Sequence, residues 1–170
     1  MLRTIMIFPQ FENIEIIDAI RGKYDPLAKL VRPHITLVFP FDSEITNEEL
    51  EKVLESCLDD IKSFPIALCG FSKEEDQFGR YLFLDMIKGK DVIEQIHNKL
   101  YAQKFKAFDL GVQYVPHITV GKFEEEEELN RAYEHVKSIT DRFETIVNRI
   151  SVEMIGEKGE SIIVIEKELG

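Results

Sequence analysis

The sequence of 170 residues is short of three things. It has no apolar run near the ~20 residues that cross a bilayer, so a membrane-spanning role is not expected. The opening stretch, MLRTIMIFPQF, is too short in apolar residues for a signal peptide and lacks a cleavage pattern; the expected location is the cytoplasm. It is short of basic residues, with 21 Lys and Arg against 32 Asp and Glu and a net charge of -11. Non-specific nucleic-acid binding rests on neutralising phosphates with Lys and Arg, so coating of long nucleic acid is not expected, although a small basic pocket remains compatible. It has only two cysteines, Cys57 and Cys69, with no CxxC pair. Both are expected as reduced thiols that pack as small hydrophobes.

What is present suits one compact unit. Apolar content of 44% and charged content of 31% are those of a soluble globular chain long enough to bury a sizeable core. The periodicities predict strands at Thr4–Phe8, Pro33–Phe39, Phe64–Phe71, Tyr81–Ile87, His117–Val120, Phe143–Met154 and Ser161–Glu166. They predict helices from about Asn13 to Lys23, from a Thr46–Glu49 capping box to Ile61, from Asp91 to Gln103, and from Glu124 to about Ile139.

One tetrapeptide occurs twice. Pro33-His34-Ile35-Thr36 returns as Pro116-His117-Ile118-Thr119, 83 residues on. The order of elements around it repeats as well: strand, helix, PHIT, helix, strand. The expected fold is therefore α/β (α+β) and bilobed. It is one domain over 1–170, built from approximate repeats at 1–72 and 80–170, with exchange of strands between lobes allowed. Two antiparallel-rich sheets would face a central cleft with helices outside, and Lys73 to Gly79 would cross between the lobes.

Side chains alternate along a strand. His34 and Thr36 therefore share one face and Ile35 and Leu37 the other, and the second copy behaves alike. If the sheets face each other, two imidazoles and two hydroxyls meet. That set suits a phosphodiester. One imidazole takes a proton from the attacking oxygen, the other protonates the leaving oxygen, and threonine hydroxyls bond the non-bridging oxygens. Neither a covalent nucleophile nor a metal is needed. His34 and His117 supply two ligands where a catalytic zinc wants three.

RPHITLV and VPHITVG resemble the paired His-x-Thr motifs of the 2H phosphoesterase superfamily, which includes 2′-5′ RNA ligases and 2′,3′-cyclic phosphodiesterases. RGKYDPLAKLVRPHITLVFPF is most similar to its bacterial 2′-5′ RNA ligase-like branch. The resemblance implies a hydrolase-type cyclic phosphodiesterase or 2′-5′ RNA ligase-like enzyme in RNA processing. It works without cofactor or metal on a small nucleotide, a cyclic phosphate or an RNA terminus. Catalytic roles would fall on His34, Thr36, His117 and Thr119, with His34 the proton donor and His117 the acceptor. The alternative is a non-catalytic module that holds a nucleotide or phosphate ligand in the same cleft.

Some RNA-active relatives carry arginine shortly after the second motif, where this chain has Lys122. Lysine binds phosphate as a point charge without the arginine fork. Lys122 and Arg32 are the candidate substrate contacts, with Arg80 a weaker one. His97 and His135 sit in helical patterns without partner motifs and are expected to be structural. The acidic run Glu124–Glu128 is expected as a solvated helix start.

Overall fold

The computed structural model describes all 170 residues. The chain runs β1 (Leu2–Ile7), α1 (Ile14–Tyr24), β2 (Ile35–Asp42), α2 (Asn47–Leu58), β3 (Phe64–Asp76), β4 (Gly79–Lys88), α3 (Lys90–Ala102), a single 3-10 turn (Lys106–Phe108), β5 (His117–Phe123), α4 (Glu126–Val136), β6 (Phe143–Val147), β7 (Arg149–Ile155) and β8 (Ser161–Glu168). Local signals account for several boundaries. Thr46 Oγ1 accepts the Glu49 backbone N–H at 3.2 Å while Glu49 accepts the Thr46 N–H at 2.8 Å, so the capping box that opens α2 is complete. The acidic run contributes Glu125 as the N-cap of α4 and Glu126 to Glu128 as its first turn, two residues later than the periodicity suggests. No helix is long and apolar enough to cross a membrane.

Two antiparallel four-stranded sheets result, ordered β2-β1-β7-β8 and β5-β4-β3-β6. They cut across the expected division at 1–72 and 80–170. Strand β3 leaves the first unit to pair with β4 of the second, and β7 takes the place beside β1. The helices cross as well: α1 lies against β5, and α3 lies against β2. Because each unit completes the other, the buried apolar residues form a single cluster of 35 spanning both sheets.

Two expectations are corrected. Lys73 to Gly79 is not a crossover. It lies at the tip of a β3–β4 hairpin that pairs out to Asp76 and Gly79. The Asp76 carboxylate accepts the Phe78 N–H at 2.7 Å, and that Asx turn closes the hairpin. Phe143–Met154 is not one strand. Asn148 breaks it into β6, paired with β3, and β7, paired with β1 and β8. The buried apolar positions change phase at the break, from Phe143 and Val147 to Ile150 and Val152, but a phase change alone does not say which sheet each part joins.

Gly89 joins β4 to α3 with φ +87°, and a Cβ there would lie 2.6 Å from the Pro65 carbonyl oxygen. The left-handed backbone alone costs an ordinary residue about 1–2 kcal/mol, and each kcal/mol moves the melting temperature of a chain this size by about 2–4 °C. Gly89→Ala should therefore lower Tm by roughly 2–8 °C through the backbone conformation alone. Gly22→Ala, inside α1 with open space around it, should leave Tm unchanged or raise it. Equal melting temperatures for the two variants would contradict the conformation given to Gly89.

Candidate functional site

The repeated tetrapeptides sit on β2 and β5, the edge strands of the two sheets, and these two strands lie against each other. Ile35, Leu37, Ile118 and Val120 are fully buried in the core. His34, Thr36, His117 and Thr119 alternate with them and are only half-buried. The structure thus sets all four on the open side of two strands that lie against each other.

Both imidazoles are held in one way. His34 Nδ1 lies 2.7 Å from the Arg32 carbonyl oxygen, and His117 Nδ1 lies 2.6 Å from that of Val115. A carbonyl can only accept, so each Nδ1 carries the proton and each Nε2 is left free to react in the neutral ring. The acceptor is in both cases the residue before a proline, whose conformation the proline restricts to the extended region. At His117 the Thr119 hydroxyl donates to Nε2 across 3.0 Å. His34 has no hydroxyl in that position.

The surroundings also differ. The Phe83 ring stacks flat on His117, with centroids 3.4 Å apart and planes at 11°. His34 faces Phe8 at 6.1 Å and a tilt of 60°, and the Arg32 guanidinium covers the other reach of Phe8 at 4.4 Å. Burial pulls the His117 proton affinity down to about 4; the Val115 carbonyl opposes this and the neighbouring His34 adds to it. His34 is also lowered, first by burial and then by the Arg21 charge, against the Arg32 carbonyl and Asp25. Each ring is therefore neutral at pH 7.

Strict alternation along β5 would put Lys122 on the buried side with Val120. A β-bulge prevents this. Thr119 stands opposite Phe83, but Gly121, not Val120, stands opposite Leu82, so Val120 is the extra residue. Lys122 returns to the face of His117 and Thr119, opposite Tyr81, with Nζ 5.7 Å from that ring. Arg32 is exposed beside His34. Arg80 is turned elsewhere, donating to the Glu124 carbonyl at 2.7 Å and pairing with Glu75 at 3.4 Å. His135 shares a 2.8 Å hydrogen bond with the Tyr24 hydroxyl on the far side of α4.

Four residues near the site have no motif to announce them. Phe8 and Phe83 are described above. Asp85 lies opposite His117 in the ladder and accepts from Ser72 at 2.7 Å, its carboxyl raised by burial. Tyr114 donates its hydroxyl to the Thr36 carbonyl at 2.6 Å and so ties the segment entering the second motif to the strand of the first. Burial pushes that phenol far above its ordinary value, so it keeps its proton and stays able to donate. His97 packs edge-on to Tyr114 at 3.6 Å and bonds the Leu37 carbonyl at 2.8 Å, buttressing the same tie. The one signal available was the alternation of Tyr81, Phe83 and Asp85 along β4.

The model of a family described as the 2′-5′ RNA ligase superfamily matches residues 8–157. A protein of Geobacillus kaustophilus, provisionally named a phosphoesterase, is 29% identical over 146 residues, covering 85% of this chain and 83% of its own. A similarly named protein of Halalkalibacterium halodurans is 27% identical over 154 residues, covering 87% and 85%. Among solved structures, LigT of E. coli in its apo form superposes with a TM-score of 0.60 at 19% identity, over 99% of this chain and 96% of that one. Usb1 of Kluyveromyces marxianus superposes with a TM-score of 0.58 at 11% identity, over 99% and 98%. These likenesses confirm the mixed α/β architecture.

An anion beside an imidazole favours its charged form. In the free protein the His117 ring proton signal should titrate by NMR with a midpoint near 4. Saturating inorganic phosphate should move that midpoint upward. A midpoint at or above 6.5 in the free protein, or no response to phosphate, would contradict the environment described.

Proposed function

Because the chain belongs to the 2′-5′ RNA ligase superfamily, we propose that this member of a phosphoesterase family opens a cyclic phosphate, or makes and breaks a 2′-5′ RNA-type linkage, with side chains alone. The observation that carries the proposal is the matched clamp: two half-buried histidines, each with Nδ1 tied to a carbonyl and Nε2 left unprotonated in the neutral ring, on strands that meet. In hydrolysis of a 2′,3′-cyclic phosphate, a water oxygen bonds to phosphorus and gives its proton to His117 Nε2. The bond from phosphorus to one ribose oxygen breaks, and that oxygen takes a proton from His34 Nε2. Thr36 donates to a non-bridging oxygen as negative charge builds there, and the Thr119 hydroxyl, released from His117 Nε2 as that atom takes the water proton, turns its O–H to another. His117 suits the base because Thr119 already donates to its Nε2, which marks a lone pair at that atom. His34 becomes charged as the phosphate anion enters.

Lys122 and Arg32 would hold further phosphate oxygens. Solved structures of E. coli LigT with ATP, 3′-AMP, NADP+ and phosphate show that protein taking such ligands, which supports a nucleotide in the equivalent cleft. The net charge of -11 favours small nucleotides or RNA ends in the cytoplasm over the interior of a long polyanion.

His34→Ala and His117→Ala should each reduce turnover of 2′,3′-cyclic nucleotides by at least ~100-fold, the usual reach of acid–base catalysis, while the fold survives. A variant that kept near-wild-type turnover would exclude the two-histidine mechanism, and a wild type that binds the nucleotides without turnover would mark a binding module instead. Activity should persist after exhaustive chelation; loss with EDTA, restored by one divalent ion, would contradict it.

The pH profile follows from the lowered proton affinities. The competent form has one imidazole charged and one neutral, and kcat/KM reports the free protein. Lowering both affinities moves the window in which one ring is charged towards acid. The bell in kcat/KM should therefore peak below pH 6.5, with kcat peaking higher because bound phosphate stabilises the imidazolium. A kcat/KM optimum above pH 7 would contradict the burial of these rings.

A further inference from the structure

A cavity of about 550 Å³ opens beside His34, between α1, the segment that follows it and β8. Its lining includes Arg21, Lys29 and Arg32 against a single carboxylate, Asp18. Counting Asp25, which is bonded to Arg21, still leaves an excess of positive charge, in a chain whose total is -11. None of the eight ion pairs of the protein includes Lys29 or Arg32. Lys29 and Arg32 thus face the cavity with no carboxylate bound to either, and the Phe8 ring is the one group that holds Arg32.

Arg21 is the third cation. Only 1% of it is exposed. Its Nε donates to Asp25 Oδ2 at 2.8 Å, while Nη2 is buried without any partner. A buried guanidinium N–H without an acceptor is costly, and each such group in a folded protein calls for an explanation, a missing ion among them. Arg21 also acts on the first histidine, whose proton affinity its charge depresses. Arg32 and Pro33 line the cavity, and His34 follows them in the chain.

We propose that this cavity is the subsite for a second phosphate of the substrate, held by Arg32 and Lys29 within the positive field of Arg21. It rests on the phosphoesterase function above and deepens it. The Arg32 guanidinium is held over the Phe8 ring, which orients its N–H groups for the bidentate bonds that suit phosphate. Lys29 adds a mobile point charge, and the Ser161 hydroxyl lines the opposite wall. The volume lies within the range of small-ligand sites and exceeds what one phosphate needs, so the sugar that carries it enters too. The substrate class is thus a nucleotide or RNA end with a phosphate at the reacting position and another one sugar away.

The test uses nucleotides that cannot turn over. Calorimetry should find adenosine 3′,5′-bisphosphate bound to the wild-type protein at least about tenfold more tightly than adenosine 3′-monophosphate, a difference of about 1.4 kcal/mol. Lys29→Glu should cut that ratio to below about threefold, and Arg32→Ala should cut it as well, with unaltered melting temperatures showing that both variants fold. Equal affinity of the two nucleotides for the wild type would overturn the subsite and leave the phosphoesterase function standing. A tighter bisphosphate whose advantage survives both substitutions would place the second phosphate elsewhere and overturn it too. Failure of either nucleotide to bind, together with no turnover of cyclic phosphates, would overturn the underlying function as well.

Discussion

The chemistry available to this protein depends on one hydrogen bond made twice: an imidazole Nδ1–H donated to the carbonyl oxygen two residues upstream. Without it either nitrogen could carry the proton, and the ring could turn away from the cleft. The intervening proline makes the bond possible. It holds its own φ near -65° and keeps the preceding residue extended, so the Arg32 and Val115 carbonyls are set within reach before the histidine orders. The tetrapeptide is thus a unit of geometry: proline places an acceptor, histidine uses it, isoleucine anchors the strand in the core, and threonine returns a hydroxyl to the side of the histidine.

Two such units can serve one site only if their strands touch, and the exchange of elements brings the strands together. Both β2 and β5 are edge strands, and each is covered by a helix from the other unit, α3 on β2 and α1 on β5. The lobes therefore cannot drift apart without uncovering apolar surface. The Tyr114 hydroxyl on the Thr36 carbonyl adds a polar tie at the same junction. A single core of 35 residues is the energetic form of this constraint, and it explains why the site can be half-buried yet fixed.

The sequence was most legible where local rules act alone. The alternation of His34 and Thr36 against Ile35 and Leu37, the capping box at Thr46 and Glu49, and the expected helical face of Val92, Ile96 and Leu100 have one physical cause each; the structure agrees with the first two and buries Ile96 and Leu100 with Ile93 in place of the half-buried Val92. Legibility failed where partners decide. Nothing between Phe143 and Met154 names the sheets that Asn148 separates: the apolar phase shifts there, from Phe143 and Val147 to Ile150 and Val152, but the partner strands decide where each part pairs. Nothing near Lys73 says that β3 runs on into a hairpin, since charged residues there look like a loop until the paired strand is known. Asp85 and Phe83 were hidden for the same reason: their nearness to His117 is a matter of register between β4 and β5.

Lys122 shows how one residue of slippage alters function. Counting by twos from Thr119 puts it on the buried face, where an ammonium would have to lose its water. The bulge at Val120 lets two consecutive small or apolar residues, Val120 and Gly121, both face the helices. Gly121 is needed for this, because a Cβ there would lie 2.8 Å from the Phe123 ring and 3.0 Å from Tyr24. Those two aromatics pack together at 5.9 Å where α1 meets β5. The close packing that holds one unit's helix on the other unit's strand therefore restricts position 121 to glycine, and the bulge beside it turns Lys122 to the face of His117 and Thr119.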